Sequence, residues 1–221
     1  MQQGYFITGT DTDVGKTWAT ISLIHYFKNQ GHTVVGMKPV AAGCSLQDGQ
    51  LKNADAVQMK AHSNVPVSYD LINPYAYPMP VSPHIAGADN PVKFEKIIAN
   101  FAVLAGQADV VLVEGAGGWF SPLNDLQDNS DLAKTLNLPV ILVVGIRLGC
   151  INQAKLTSLA IQQSGLNCAG WIAMCIDPKL PFVDENIQTI QKAIDLPLLG
   201  IIPFDSNADF AKMARCISFG D

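Results

Sequence analysis

The 221-residue chain is 48% hydrophobic and 15% charged, a balance that excludes global disorder and suits one compact α/β domain over 1–221. A net charge of −5 without any Lys/Arg run argues against a nucleic-acid surface, and no apolar run approaches the ~20 residues that span a bilayer. Strand-like sequence begins almost at the first residue, and the five cysteines (Cys44, Cys150, Cys168, Cys175 and Cys216) form no Cys-x-x-Cys pair, which together read as a cytoplasmic chain with no signal peptide, free thiols and no metal cluster.

The apolar run Tyr5-Phe6-Ile7 reads as the first strand. Gly9-Thr10-Asp11-Thr12-Asp13-Val14-Gly15-Lys16-Thr17 follows, a glycine-bounded loop that runs into a helix over 16–30, ended by Gly31. A strand, loop and helix in this order aim successive backbone N–H groups and a helix N-terminus at one point, a ready site for phosphate. Lys16 is then placed to reach terminal phosphates and the Thr17 hydroxyl to ligate Mg²⁺. The spacing is a variant of the P-loop, with five residues rather than four between Gly9 and the Gly15-Lys16 pair. The bland alternative is a strand-to-helix turn rich in Gly, Thr and Asp. Asp11 and Asp13 lie inside the loop, where they contact a substrate amine or a metal-bound water, or only shape the turn.

Residues 33–40 read as the second strand, with Lys38 among apolar neighbours just before Pro39. Its ammonium must reach the sheet's C-terminal edge, where a second cation suits charge building on a transferring phosphoryl group, or else snorkel to water. Residues 41–91 are less regular, with a helical stretch over 54–62, a proline-dense passage over 73–83 and no hairpin signal of the Asn-Gly type. Asp55 is a second candidate Mg²⁺ ligand or an ordinary helix N-terminal aspartate.

A helix over 92–107 leads to the strand 109–114, which ends on Glu114 and is followed by Gly115-Ala116-Gly117-Gly118-Trp119. The carboxylate is placed to help hold Mg²⁺ and the glycines to let backbone N–H groups approach an anion; the alternative is a capping Glu before a flexible loop. Strands over 139–145, 168–174 and 198–203 complete the series. Near-continuous apolar strands separated by helices imply a mostly parallel central sheet with helices on both faces, P-loop NTPase-like, with ligands beyond the strands' carboxyl ends. Gly149-Cys150-Ile151-Asn152 opens a helix whose free N–H groups bind a carboxylate or are simply capped. His25 and His32 read as helix-surface and turn residues, His62 and His84 have no metal spacing, and no catalytic histidine is expected.

Gly9-Thr-Asp-Thr-Asp-Val-Gly-Lys-Thr17, Gly36-Met-Lys-Pro-Val40, Asn73-Pro-Tyr75, Ser82-Pro-His84, Val113-Glu-Gly-Ala-Gly-Gly-Trp119 and Leu148-Gly-Cys-Ile-Asn152, in this order, resemble the dethiobiotin synthetase family from the first strand to about Pro203. The resemblance implies a homodimeric, Mg²⁺- and ATP-dependent ligase acting on 7,8-diaminononanoate and CO₂ through a carbamate and a carbamic–phosphoric anhydride. It assigns Lys16 and Lys38 to catalysis and Thr17, Asp55 and Glu114 to Mg²⁺. It gives the nucleotide Asp13, Val14, Gly15, Lys16, Thr17, Trp18, Asp55, Glu114, Gly115, Ala116, Gly117, Met174, Cys175, Pro203, Phe204 and Asp205. It gives the diamine Thr12, Lys38, Ala42, Gly117, Gly118 and, from the neighbouring subunit, Gly149, Cys150, Ile151 and Asn152. Two departures stand out. Ala42 replaces a family serine beside the substrate, and Met174-Cys175 replaces an Asn-Asp pair whose Asn reads adenine. Base discrimination is therefore expected either to be weak, with other nucleoside triphosphates serving too, or to rest on backbone groups around Pro203-Phe204-Asp205. Two rivals are a cobyrinate-type amidating enzyme, for whose glutaminase domain the chain ends too soon, and a partition-type nucleotide switch, whose lysine near the start of the P-loop is replaced here by Gly9-Thr10-Asp11. A nucleotide-binding protein that has lost activity is the third.

Overall fold

The computed structural model describes residues 3–220; residues 1, 2 and 221, which the single-domain expectation also spans, lie outside the described residues. In chain order the elements are β1 (Gln3–Gly9), α1 (Lys16–Asn29), β2 (Val34–Met37), β3 (Val40–Ala41), β4 (Ser45–Gln47), β5 (Gln50–Lys52) and α2 (Ala54–His62). There follow α3 (Tyr69–Ile72), β6 (Tyr75–Ala76), α4 (Pro83–Ala86), α5 (Phe94–Ala105), β7 (Val110–Glu114) and α6 (Asn129–Leu136). The chain closes with β8 (Val140–Gly145), α7 (Cys150–Gln163), β9 (Cys168–Met174), α8 (Val183–Ala193), β10 (Leu198–Ile202) and α9 (Phe210–Ala214).

Six strands form one parallel sheet in the order β10-β9-β8-β1-β7-β2. Successive residues of each strand face opposite ways, and the buried side chains divide accordingly. Phe6, Val111, Val113, Leu142 and Val144 pack with Ile97 of α5, Leu132 of α6, Ile161 of α7 and Ile190 of α8. Tyr5, Ile7, Leu112, Ile141 and Val143 pack with Ile21 and Ile24 of α1, Met59 of α2 and Met213 of α9. Both faces of the sheet are therefore covered, which is why β7 and β8 carry unbroken apolar runs. β2 and β7 are added on one side of β1 and β8, β9 and β10 on the other, and β1 delivers the glycine-rich loop to the crevice at that switch point.

The second strand is shorter than the sequence suggests. β2 stops at Met37, and Val40–Ala41 pairs instead with β6 in a separate two-stranded ladder. Pro39 has no N–H to continue the main ladder, and the Lys38 N–H donates to the Ile72 carbonyl rather than to β7. The expected lack of a hairpin is also corrected. β4 and β5 pair antiparallel across Asp48-Gly49, whose φ values of 50° and 78° are the two positive values a type I′ turn requires. Among the described residues no helix is long and apolar enough to cross a membrane.

Candidate active site

The loop after β1 closes tightly. A side chain at Gly9 would meet Val14 Cγ2 at 2.7 Å, and Gly15, at φ 88°, turns the chain into the first turn of α1 in a conformation that a Cβ disfavours. Val14 is therefore fully buried as the loop's anchor rather than facing the crevice. Lys16 and Thr17 follow as the first residues of α1. Lys16 Nζ donates to the Asp11 carbonyl at 2.6 Å, and burial, then the nearby Lys38 ammonium, push its pKa down to about 8.

Glu114, at the end of β7, is wholly buried and fully engaged. Its Oε1 accepts from Lys38 Nζ at 2.5 Å and Thr17 Oγ1 at 3.0 Å, and its Oε2 from Thr20 Oγ1 at 2.8 Å. Lys38 does not snorkel: its Nζ lies between Glu114 and Asp55, 3.5 Å from Asp55 Oδ2. Burial alone would lower its pKa, but the two carboxylates outweigh burial and hold it above the ordinary lysine value. The backbone at Lys38 is fixed by Asn73, whose Nδ2 donates to the Lys38 carbonyl at 2.7 Å while its Oδ1 accepts from the Tyr69 hydroxyl at 2.9 Å. Asp55 is delivered by α2, whose N-cap Asn53 accepts the Asp55 N–H at 3.0 Å.

These groups line a cavity of about 390 Å³ together with Thr12, Asp13, Gly15, Trp18, Gly117, Met174, Cys175, Ile176, Pro203, Phe204 and Asp205. Its far end is mostly apolar. Met174 covers Gly15, where a built Cβ would lie 3.0 Å from Met174 Cε, and burial raises the Cys175 thiol. A second cavity of about 530 Å³ shares Thr12, Asp13, Lys38, Asp55 and Gly117 with the first, and adds Ala42, Ala116, Ser121 and residues 80–83.

Several expected residues fall outside both cavities. Gly115 packs on Asn129 and Phe6, and its N–H donates to the Ile7 carbonyl. The Gly118 N–H donates to Ser121 Oγ at 2.8 Å, and its carbonyl accepts from Asn129 Nδ2 at 2.8 Å. Gly149, Cys150, Ile151 and Asn152 lie at the start of α7. There Gly149 takes φ 92°, Cys150 is buried, and Asn152 lines a separate groove with Lys155, Leu156 and Leu159. Sequence reasoning missed Thr20 on Glu114, Ile176 at the apolar end and Ser121 in the second cavity. Thr20 follows Lys16 by one helical turn, a signal that was present in the spacing.

The oxygen donors Thr17 Oγ1, Asp55 and Glu114 suit a hard divalent cation such as Mg²⁺. The Lys38 ammonium bridging the two carboxylates shows that the spot already favours positive charge. A parallel sheet whose first strand runs through a glycine-bounded loop into Lys-Thr, facing a strand-end carboxylate, defines a P-loop nucleotide-binding fold.

The family model described as "AAA domain" matches residues 3–212. Among solved structures, the septum site-determining protein MinD of Pyrococcus horikoshii, a complex with Mg-ADP, aligns at TM-score 0.58 and 18% identity over 96% of this chain and 86% of its own. MinD of Aquifex aeolicus aligns at 0.58 and 16% identity over 96% and 87%. These likenesses show the fold. The ATP-dependent dethiobiotin synthetase of Aromatoleum aromaticum is 48% identical over 217 residues, 97% of this chain and 96% of the relative. That of Xanthomonas oryzae pv. oryzae is 46% identical over 213 residues, 96% and 95%. The chain belongs to the dethiobiotin synthetase family.

Proposed function

We propose that this chain is a ligase of biotin biosynthesis that closes 7,8-diaminononanoate and CO₂ into the cyclic urea of dethiobiotin, converting ATP to ADP and phosphate. Family membership over almost the whole chain supports the reaction. The observation that carries the mechanism is the meeting of the two cavities at Lys38, Asp55 and Gly117, with Lys16 on the nucleotide side.

One amine of the diamine takes up CO₂ as a carbamate and loses a proton. A carbamate oxygen forms a bond to the γ-phosphorus while the bond to the β-phosphate oxygen breaks, giving ADP and a carbamic–phosphoric anhydride. The second amine attacks the anhydride carbon, a C–N bond forms, inorganic phosphate leaves, and the amine proton is lost. No protein nucleophile is needed. The protein must instead bring two anions together, a task of positioning and electrostatics. Lys16 holds the β- and γ-phosphates, and Lys38 spans carbamate and phosphoryl group. Thr17, Asp55 and Glu114 would hold Mg²⁺, which would supply neutralisation of phosphate charge.

In this reading the nucleotide lies along the first cavity, its base between Met174 and Phe204, and the diamine lies in the second, beside Thr12 and Ala42. Leu156 and Leu159, exposed on α7, support a homodimer in which residues 149–152 of one subunit receive the substrate carboxylate of the other. The protein acts as one cytoplasmic domain. At the base end no side chain offers an amide pattern. The Cys175 N–H is spent on the Ile202 carbonyl, and the Met174 carbonyl accepts from Ile146, which leaves base reading to backbone groups around Pro203-Phe204-Asp205. The reading preferred is weak discrimination, with CTP and GTP serving beside ATP.

The test is mass spectrometry of product formed from 7,8-diaminononanoate, bicarbonate and Mg²⁺ with ATP, CTP or GTP. Dethiobiotin in step with nucleotide hydrolysis is expected, and hydrolysis without product overturns the reading. An ATP preference above about a hundredfold, ~2.7 kcal/mol, overturns the base assignment alone.

A further inference from the structure

Asp11 stands where the phosphate loop meets the turn between β8 and α7, and groups from both sides converge on it. Its Oδ2 accepts from Arg147 Nη2 at 2.8 Å and Gln153 Nε2 at 3.4 Å. Its Oδ1 accepts the Thr12 N–H at 2.8 Å, and its carbonyl oxygen accepts from Lys16 Nζ at 2.6 Å. Arg147 lies in the turn and Gln153 in the first turn of α7, 136 and 142 residues from Asp11 in sequence. The contact orients Gln153 at a cost, since with Nε2 turned to Asp11 its Oε1 is buried without a hydrogen-bond partner.

The next two residues are the wall shared by both cavities. Thr12 and Asp13 line each of them, and Asp13 holds φ 56°, a left-handed conformation that needs support from its surroundings. This wall is gripped from two sides, by Lys16 at the Asp11 carbonyl and by Arg147 at the carboxylate. Phosphate oxygens compete for the Lys16 ammonium, so an arriving nucleotide draws away the first grip and leaves the second. The Arg147–Asp11 pair is partly exposed, 34% and 49% by side chain, and pairs of that kind add little to fold stability.

We infer that Arg147 is a positioning residue: through Asp11 it holds the Thr12-Asp13 wall once Lys16 has turned to the phosphates, and so couples nucleotide binding in one cavity to diamine binding in the other. The inference rests on the function proposed above.

Calorimetry of 7,8-diaminononanoate binding, with and without the β,γ-methylene analogue of ATP plus Mg²⁺, tests it on wild type, Arg147→Gln, Arg147→Lys and the pair Asp11→Asn/Arg147→Gln. In Arg147→Gln the diamine affinity without nucleotide stays within about twofold, whereas the enhancement by nucleotide falls roughly five- to tenfold. In turnover the KM for the diamine rises while kcat holds. Arg147→Lys restores part of the coupling, since it keeps the charge and loses the fork. The double variant is no worse than Arg147→Gln, because both act through one contact. Equal enhancement in Arg147→Gln and wild type overturns the inference while leaving the proposed function standing, as does a double variant whose enhancement falls clearly below that of Arg147→Gln. Wild-type protein that binds neither ligand overturns both.

Discussion

At its phosphate end the cleft is dense with buried charge: Lys16, Lys38 and Glu114 are all buried, and every oxygen of Glu114 is engaged by a cation or a hydroxyl. At its base end Met174, Cys175, Ile176 and Pro203 present apolar surface, and Phe204 is half exposed. The first end is fixed by the central sheet, through β1, β2 and β7. The second is formed by the carboxyl ends of β9 and β10, the latter the edge strand, and by the residues that follow them. The contrast separates two demands. Holding a polyphosphate calls for rigid, preorganised charge, whereas holding a base flat calls only for apolar contact.

The sharpest way to break the contrast is to remove a charge from the phosphate end. Lys16→Ala is expected to reduce turnover by a factor on the order of 10³ or more, the scale for losing a preorganised group that meets developing charge. The fold should survive, because Lys16 is held below its ordinary pKa by burial and is no source of stability. Steady-state turnover beside a circular-dichroism melt checks both halves. Activity near the wild-type level would undo the phosphate-end assignment.

Glu114→Ala tests the same end by stability rather than rate. It leaves the buried Lys38 ammonium facing only Asp55, whose side chain is 39% exposed, and strips Thr17 of its carboxylate acceptor, while Thr20 keeps the Lys16 carbonyl. Breaking a buried pair from one side costs about 3–5 kcal/mol. Urea denaturation should show a loss of that order, and adding Lys38→Met to Glu114→Ala should recover part of it.

How far each end was legible in the sequence follows from the same contrast. The phosphate end announces itself because its signals are local: Gly15-Lys16-Thr17 after an apolar strand, and Glu114 closing another. The six main strands were equally readable, since burial on both faces writes an unbroken apolar run. What escaped is what folding brings together from afar. The Asp11–Arg147 pair and the His25–His62 pair, 2.9 Å apart, join segments with no shared pattern. Asp48-Gly49 did carry a turn signal, but β4 and β5 have one apolar residue each, so nothing beside it read as a strand.

At the base end the informative change adds a group instead of removing one. Met174→Asn places an amide where only a thioether now covers Gly15. A site that hydrogen-bonds the base rejects bases lacking the matching edge, so the preference for ATP over CTP should rise about tenfold, ~1.4 kcal/mol. Competition rates with the two nucleotides measure it, and an unchanged ratio would mean that base selection lies elsewhere in the cleft.

The smallest effect concerns what supports the base end from behind. Trp18, in the cleft wall, meets Phe210 of α9 edge-on at 5.7 Å, and Phe210 meets His62 of α2 at 5.0 Å. His62 Nδ1 and His25 Nε2 share one proton's hydrogen bond, and the Lys28 ammonium is held beside them on the His62 carbonyl at 2.8 Å. Burial first, then Lys28, lowers the pKa of both imidazoles, and each of His25's other neighbours acts too, His62 downward and Asp209 upward. The unfolded chain therefore takes up these protons first, from about pH 6.5 downward. Stability is fully present above that pH and is lost as pH falls through the window to the lowered folded values. Melts between pH 7.5 and 5.5 should show a modest fall in Tm that His62→Gln blunts. Because His62 packs on Phe210 of α9, the same acidification should loosen nucleotide binding through the base end while the Lys38–Glu114 pair stays closed. A fall in Tm of equal size in wild type and His62→Gln would assign the acid sensitivity to other groups.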